Sequence, residues 1–533
     1  MIKLLKYIQV FFFSLLIIIT ASCSYSNFDA DNNITEVTEY PGLDPDYINV
    51  EIPPNIAPLN FIIEEQGTEY YVKIYSINEE PIEIYSTESK INIPMNQWKN
   101  ILTKNTGNEL TFDIYVKGDN ENWKKYKSIT NSISKDPIDS HIAYRLIMPA
   151  YNYWNEIGIH QRNLENFDES PIILNKLTGK SCINCHNFRA NDPDNMVLHL
   201  RAGDASGTLL IKDGKAKKIN TSTDFNKAGA YPSWHPNGNL IAFSSNNLIL
   251  FFHAKGVARD VLDKGSDIIV YDIEKNMITT TPQISGPERM ENFPWWSPDG
   301  KYLYYSSAPG FKTYMSDVNG ESYLDFDNIQ YDLMRIPYDE KTGEWGHAET
   351  VLSAEITGLT ILEPRISPDG RYALVTMGKY GNFPIYLTDS DVYLIDLNTF
   401  EYRRLECNSD ESDSFHSWSS SGRWFSFASK RRDGILGRIY FSHFDKNGNI
   451  SKPFLMPQKD PSTNNTFFKN YNVPELIKGP VKVSAQELAR VACDNENLLK
   501  AQLDPKVQAR IKNNELEERK QNQGKPDHFY SQQ

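Results

Sequence analysis

The chain has 533 residues, 40% of them hydrophobic and 12% aromatic, which is enough for roughly two to four domains with sizeable cores. Its formal net charge of −14 argues against a polyanionic partner such as nucleic acid, which would demand a basic face. The 30 Tyr, 26 Phe and 9 Trp favour strands over helices.

Lys3 and Lys6 precede an apolar run from Tyr7 to Ile19 that ends in Thr20-Ala21-Ser22-Cys23. Charged residues, a short apolar core and small residues before a cysteine predict a secretory signal over 1–22. The apolar core is short for a membrane span, although an uncleaved anchor is the competing reading. By resemblance to bacterial lipoproteins, Cys23 would become the lipidated first residue of a mature protein in the cell envelope, facing the periplasm or the cell surface. Residues 23–40 are polar and acidic and read as a tether.

Strand-like runs follow at Tyr47–Ile52, Leu59–Glu64, Tyr70–Tyr75, Ile82–Tyr85 and Leu110–Val116, separated by polar or glycine-containing turns. They predict an immunoglobulin-like or fibronectin-like sandwich over 41–136, with no catalytic constellation in it.

Asp136-Pro137 breaks that pattern, and residues 137–192 read as an aromatic-rich connector. It carries Cys182-Ile183-Asn184-Cys185-His186-Asn187-Phe188, a C-x-x-C-H motif whose chance expectation at this composition is roughly 0.001 matches. Two thiols at that spacing with an adjacent imidazole are what covalent haem c attachment requires, with Cys182 and Cys185 binding the vinyl groups and His186 the iron. A disulfide, a redox dithiol or three ligands of a structural zinc would use the same residues. His199, Met196, Met148 and His160 are the nearby candidates for a second axial ligand, and an open sixth position is the alternative.

Residues 193–460 repeat. Pro236-Asn237-Gly238, Pro298-Asp299-Gly300, Pro368-Asp369-Gly370 and Ser420-Ser421-Gly422 are each followed by an apolar strand. Their first residues are 62, 70 and 52 positions apart, which is the size of a propeller blade with loop insertions. A further incomplete blade at Met196–Ile219 makes five, with a sixth left open. His235 and His416 sit at repeat positions and read as structural.

Together with Ala143-Tyr144-Arg145-Leu146-Ile147, Gln161-Arg162-Asn163-Leu164 and Asn166-Phe167, the motif and the repeats resemble a group of bacterial exported TolB-like, WD-like β-propeller lipoproteins. In that group a C-x-x-C-H segment immediately precedes the propeller. The resemblance implies a mainly β protein with a five- or six-bladed propeller, a site at a domain junction, and an unknown protein or small ligand bound on the propeller.

In 461–533, Ser484-Ala485-Gln486-Glu487 and Asp504-Pro505 predict two short helices before a polar tail. Cys407 and Cys493 stand alone, and the sequence does not pair them. No G-x-S-x-G elbow or H-E-x-x-H helix occurs, so no hydrolase or protease chemistry is legible. Electron transfer, redox sensing or small-ligand chemistry on a covalent haem is one functional expectation. A binding or scaffold lipoprotein with a structural cysteine–histidine cluster is the other.

Overall fold

The computed structural model describes residues 34–119, 122–149, 156–201, 203–252, 260–318, 321–513 and 516. The signal-like segment, Cys23 and most of the tether lie outside these. No helix among the described residues is long and apolar enough to cross a membrane.

Six antiparallel sheets form a ring. Their innermost strands are Asn470–Ile477, Cys182–Phe188, Ala230–Trp234, Arg289–Trp296, Thr360–Ile366 and Asp413–Trp418, here numbered blades 1 to 6 in that order. Each inner strand packs on the next, and Asn470–Ile477 touches both Asp413–Trp418 and Cys182–Phe188. The protein is thus a six-bladed β-propeller. Blade 1 closes the ring by pairing a C-terminal inner strand with three strands from before the motif: His141–Ile147, Gly158–Asn163 and Glu169–Leu174.

The repeat glycines mark the hairpins that lead outward from blades 3 to 6. Gly238, Gly300, Gly370 and Gly422 all have φ between 66° and 76°, the left-handed conformation that only glycine adopts at little cost. A serine before three of these turns accepts from the backbone five residues on, Tyr302 N to Ser297, Tyr372 N to Ser367 and Trp424 N to Ser419, at 2.9–3.0 Å. The polar turn therefore supplies its own hydrogen-bond partners.

Residues 137–192 are not a connector. They supply the outer strands of blade 1 and the inner strand of blade 2, because their aromatic and β-branched residues pair as strands and bury Ile142, Tyr144, Ile159 and Ile173. The ring accordingly runs from 141 to 477 rather than from 193 to 460. Both C-terminal helices form, Ala485–Cys493 capped by Ser484 and Pro505–Lys512 capped by Asp504. Between them, Leu499–Lys500 and Gln502–Leu503 pair in parallel with the outer edges of blades 2 and 3.

The N-terminal domain holds a seven-stranded and a three-stranded sheet with a helix, Met95–Lys104, that buries Trp98, Ile101 and Leu102. The helix and two parallel strand pairs are features that the immunoglobulin-like expectation did not contain. Its core is continuous with that of blade 6. Polar bonds join the two as well, Tyr47 Oη to the Leu455 carbonyl at 3.2 Å and Arg432 to Asp44 at 2.7 Å.

A candidate ligand site in the central channel

Every inner strand breaks register at the same place, with two residues opposing one on the neighbouring strand. This is a β-bulge repeated around the ring. Asn184 and Cys185 oppose His199, and the matching pairs are Tyr231-Pro232, Phe293-Pro294, Glu363-Pro364, Phe415-His416 and Val473-Pro474. The first residue is left-handed in five blades, with φ of 47° to 55° at Tyr231, Phe293, Glu363, Phe415 and Val473. Asn184 is not among them. Proline suits the second position in four blades because the bulge asks for no ladder donor there.

The C-x-x-C-H motif is therefore the inner-strand repeat of blade 2, with Cys185 where four other blades have proline and blade 6 has His416. Side chains alternate along a strand, and a bulge adds one residue to the count. Cys182 and Cys185 consequently share one face, and Ile183, His186 and Phe188 share the other. Ile183 and Phe188 pack against Ile147, Ile157 and Ile159 of blade 1. On the cysteine side, the backbone of Tyr231 in blade 3 hydrogen-bonds Cys185. All four described cysteines are free thiols, and among the described residues no three His, Cys, Asp or Glu side chains are placed to hold a metal.

Haem c needs Cys182, Cys185 and His186 to reach one macrocycle. This strand presents their side chains on opposite faces, with the three residues only 4%, 8% and 5% exposed. In this conformation the residues do not fit the group. Of the candidate second ligands, His199 is buried on the cysteine face, since it pairs against the bulge between Leu198 and Leu200 of the blade 1 side. Met196 is in that core, His160 pairs with Glu169 at 3.4 Å, and Met148 is half-buried at the end of its strand.

What the ring does bring together is a set of ionisable side chains that the sequence scatters over 330 positions, from Arg145 to Glu475. His186 Nε2 lies 4.0 Å from Glu475 Oε2 of blade 1, and neither ring nitrogen has a hydrogen-bond partner among the described residues. Burial, reinforced by Arg145 and Arg365, pushes His186 down to about 3, so it stays neutral. Glu475 Oε1 accepts from Asn187 Nδ2 and Phe188 N, both at 2.9 Å, linking blades 1 and 2. Burial nevertheless raises Glu475 to about 8.

Blade 5 contributes Glu363 and Arg365. Glu363 Oε2 accepts from Phe415 N at 3.1 Å and Thr376 Oγ1 at 3.3 Å, and burial lifts its carboxyl to about 7. The same Thr376 hydroxyl lies 3.4 Å from His416 Nδ1, while His416 Nε2 is buried without a partner among the described residues and burial holds that ring at about 3. The Arg365 guanidinium stacks 4.2 Å over Trp295 of blade 4. Buried ionisable groups gathered in one place and perturbed there mark a candidate functional site. The sequence signalled only Cys185 and His186 of this cluster. Glu363, Arg365, His416 and Glu475 sit in repeat positions where the other blades mostly carry Ser, Trp, Phe or Pro, and that contrast within the repeat was the available signal.

A long hairpin of blade 3 extends past the start of the inner strands. Leu240–Phe252 and Asp260–Asp272 run 13 residues each, beyond the ladder that blade 3 needs. Asp263 Oδ2 accepts from Asn246, Asn292 and Asn382 side chains at 2.9, 2.7 and 2.6 Å, tying the hairpin to blades 4 and 5. Leu262 packs with Met290, Phe293 and Leu362 beneath it.

No family model and no curated protein matches this chain. Solved structures are similar at low identity. Oligogalacturonate lyase from Vibrio parahaemolyticus is 10% identical over 55% of this chain and 85% of that one, with a TM-score of 0.30. The Swd1 β-propeller domain of Myceliophteria thermophila is 10% identical over 52% and 72%, with a TM-score of 0.29. A chain of the nidogen/laminin complex is 7% identical over 63% and 99%, with a TM-score of 0.36. Their activities are not carried over to this chain. The chain is a mainly β protein, a six-bladed propeller preceded by a β-rich domain.

Proposed function

We propose that this protein is an exported, lipid-anchored propeller that binds a small polar molecule in the central channel beneath the blade 3 hairpin. The observation that carries the reading is His186: a fully enclosed imidazole with both nitrogens unpaired among the described residues, beside carboxyl and guanidinium groups from blades 1 and 5. A buried polar group without a partner costs about 1–3 kcal/mol, so a ligand that supplies one binds favourably there. The lysines, apolar run and Cys23 at the start of the chain support export and lipidation. The net charge of −14 speaks against nucleic acid as the partner. No residue is assigned to bond-making chemistry, and binding is the activity proposed.

The test is thermal melting of the wild-type chain and of His186→Ala against a panel of small polar metabolites. A ligand-induced rise in Tm that His186→Ala abolishes is the expected result, and an undiminished rise in the variant would refute the site.

The C-x-x-C-H spacing favours a second reading, covalent haem c on Cys182 and Cys185 with His186 as proximal ligand. It requires the segment Ile183–His186 to leave its ladder. A pyridine haemochrome spectrum from protein made with a c-type maturation system, lost in Cys185→Ser, would establish haem; no covalent haem would end this reading.

A further inference from the structure

We propose that the outer edge of blade 5, Tyr402–Arg404, docks an extended segment of another polypeptide, which adds to the blade as a further strand and sets an apolar side chain against Ile356 and Tyr402. The site lies on the rim of the ring, and the inference stands apart from the channel reading.

Tyr402–Arg404 pairs with Asp391–Asp396, and the flanking bonds fix which backbone groups that ladder uses. Asp396 N donates to the Glu401 carbonyl at 2.9 Å, and Leu405 N to the Val392 carbonyl at 3.1 Å. Antiparallel bonding alternates, so residues 401, 403 and 405 bond inward, and the N–H and C=O groups of Tyr402 and Arg404 point outward. Among the described residues nothing bonds these four groups. Two donors and two acceptors at a two-residue spacing are the template for one more strand.

The molecule uses its other outer edges in the same way or covers them. Its own Leu499–Lys500 and Gln502–Leu503 add as strands to blades 2 and 3. The helix Ala485–Cys493 packs on the outer strand of blade 1, Glu169–Leu174, and Tyr47 of the N-terminal domain bonds the outer strand of blade 6 at the Leu455 carbonyl. The blade 5 edge instead borders a groove of about 950 Å³. Residues 350–353 and Ile356 of blade 4 wall one side, and the Asn447-Gly448 turn of blade 6 walls the other.

Charges around this edge are paired within the protein: Arg371 with Asp396 at 3.3 Å, Arg403 with Glu406 at 2.9 Å and Arg404 with Asp391 at 2.6 Å. Recognition therefore falls to backbone hydrogen bonds and apolar contact. Ile356 is 74% exposed and Tyr402 39%. Tyr402 faces blade 4, because its cross-strand partner Ile395 packs in the core between blades 4 and 5. A peptide strand meets both demands, the ladder and the apolar seat, whereas a glycan has no amide ladder.

The experiment is calorimetric titration of the full chain with blocked heptapeptides that alternate threonine and valine around a central leucine or phenylalanine. The same peptides with every amide N-methylated, and maltopentaose, are the comparison probes. The unmethylated peptides are expected to bind and to slow amide hydrogen exchange at Tyr402 and Arg404. Tyr402→Pro removes an outward N–H and leaves the inward ladder intact, so it should weaken binding about tenfold or more with an unchanged ligand-free Tm. Ile356→Ser, at an exposed position, should weaken binding about threefold or more, and it serves if the proline variant does not fold. No binding by any heptapeptide overturns the proposal, as does binding undiminished by full N-methylation or in both variants. Binding of maltopentaose in place of the peptides also overturns it. So does a free chain that sediments as a dimer and becomes a monomer in Tyr402→Pro, an outcome that gives the edge to a second copy.

Discussion

At Val473 the bulge places a β-branched side chain at φ 48°, where Cβ crowds the following carbonyl. The other left-handed bulge residues are aromatic or Glu363, and aromatic rings at Tyr231 and Phe293 recover some of the strain by packing at 4.6 Å. Val473 is only half-buried and recovers less. Asparagine tolerates this conformation, so Val473→Asn is expected to stabilise the protein by about 1 kcal/mol, read as a higher urea midpoint. A lower midpoint would show that the side chain matters more than the backbone. Cys185 illustrates the same point for the motif: its neighbours in the chain suggest a haem thiol, whereas its place in the bulge is one that four other blades fill with proline.

At the scale of elements, ring closure depends on Asn470–Ile477. It pairs with His141–Ile147, packs on blades 2 and 6, and carries Glu475, the link to Phe188. A chain stopped after Lys469 leaves the inner edge of blade 1 unpaired, with Ala143, Tyr144 and Leu146 uncovered. It is expected to lose cooperative thermal unfolding. A chain stopped after Asp494 keeps that strand and loses only the edge strands at Leu499–Leu503 and the last helix. It should still melt cooperatively, a few degrees lower. The helices were legible from their caps, since Ser484 and Asp504 act within three residues of themselves. The closing strand was not, because its partner lies more than 320 positions earlier and its Val-Pro-Glu-Leu pattern is too short to stand out.

For the whole molecule, His443 couples the N-terminal domain to the propeller. Its Nε2 is 2.9 Å from Asp136 Oδ2, and its Nδ1 is 3.2 Å from Glu51 Oε1. Burial alone would lower its pKa, but the two carboxylates outweigh burial and raise it above the ordinary 6.5. A raised histidine binds its proton more tightly in the folded state. Its contribution is complete below pH 6.5 and is lost as pH rises through the higher folded value. Stability should therefore fall as pH climbs above 6.5 through this group, and His443→Gln should flatten that part of the Tm profile. An unchanged profile would remove His443 from the coupling.

The sequence by itself determined the β-rich class, the blade repeat, the C-terminal helices and the rarity of the C-x-x-C-H segment, since each rests on local chemistry: turn glycines, caps and spacing within a few residues. Only the tertiary structure decided the sixth blade, the closing strand, and the place of Cys182–Phe188 as an inner strand rather than a clasp between domains. Those depend on pairings between distant residues, and on a one-residue bulge that changes which face each side chain takes. The cluster of Arg145, His186, Glu363, Arg365, His416 and Glu475 is of the same kind, because the five strands that carry it, far apart in sequence, meet only when the ring closes.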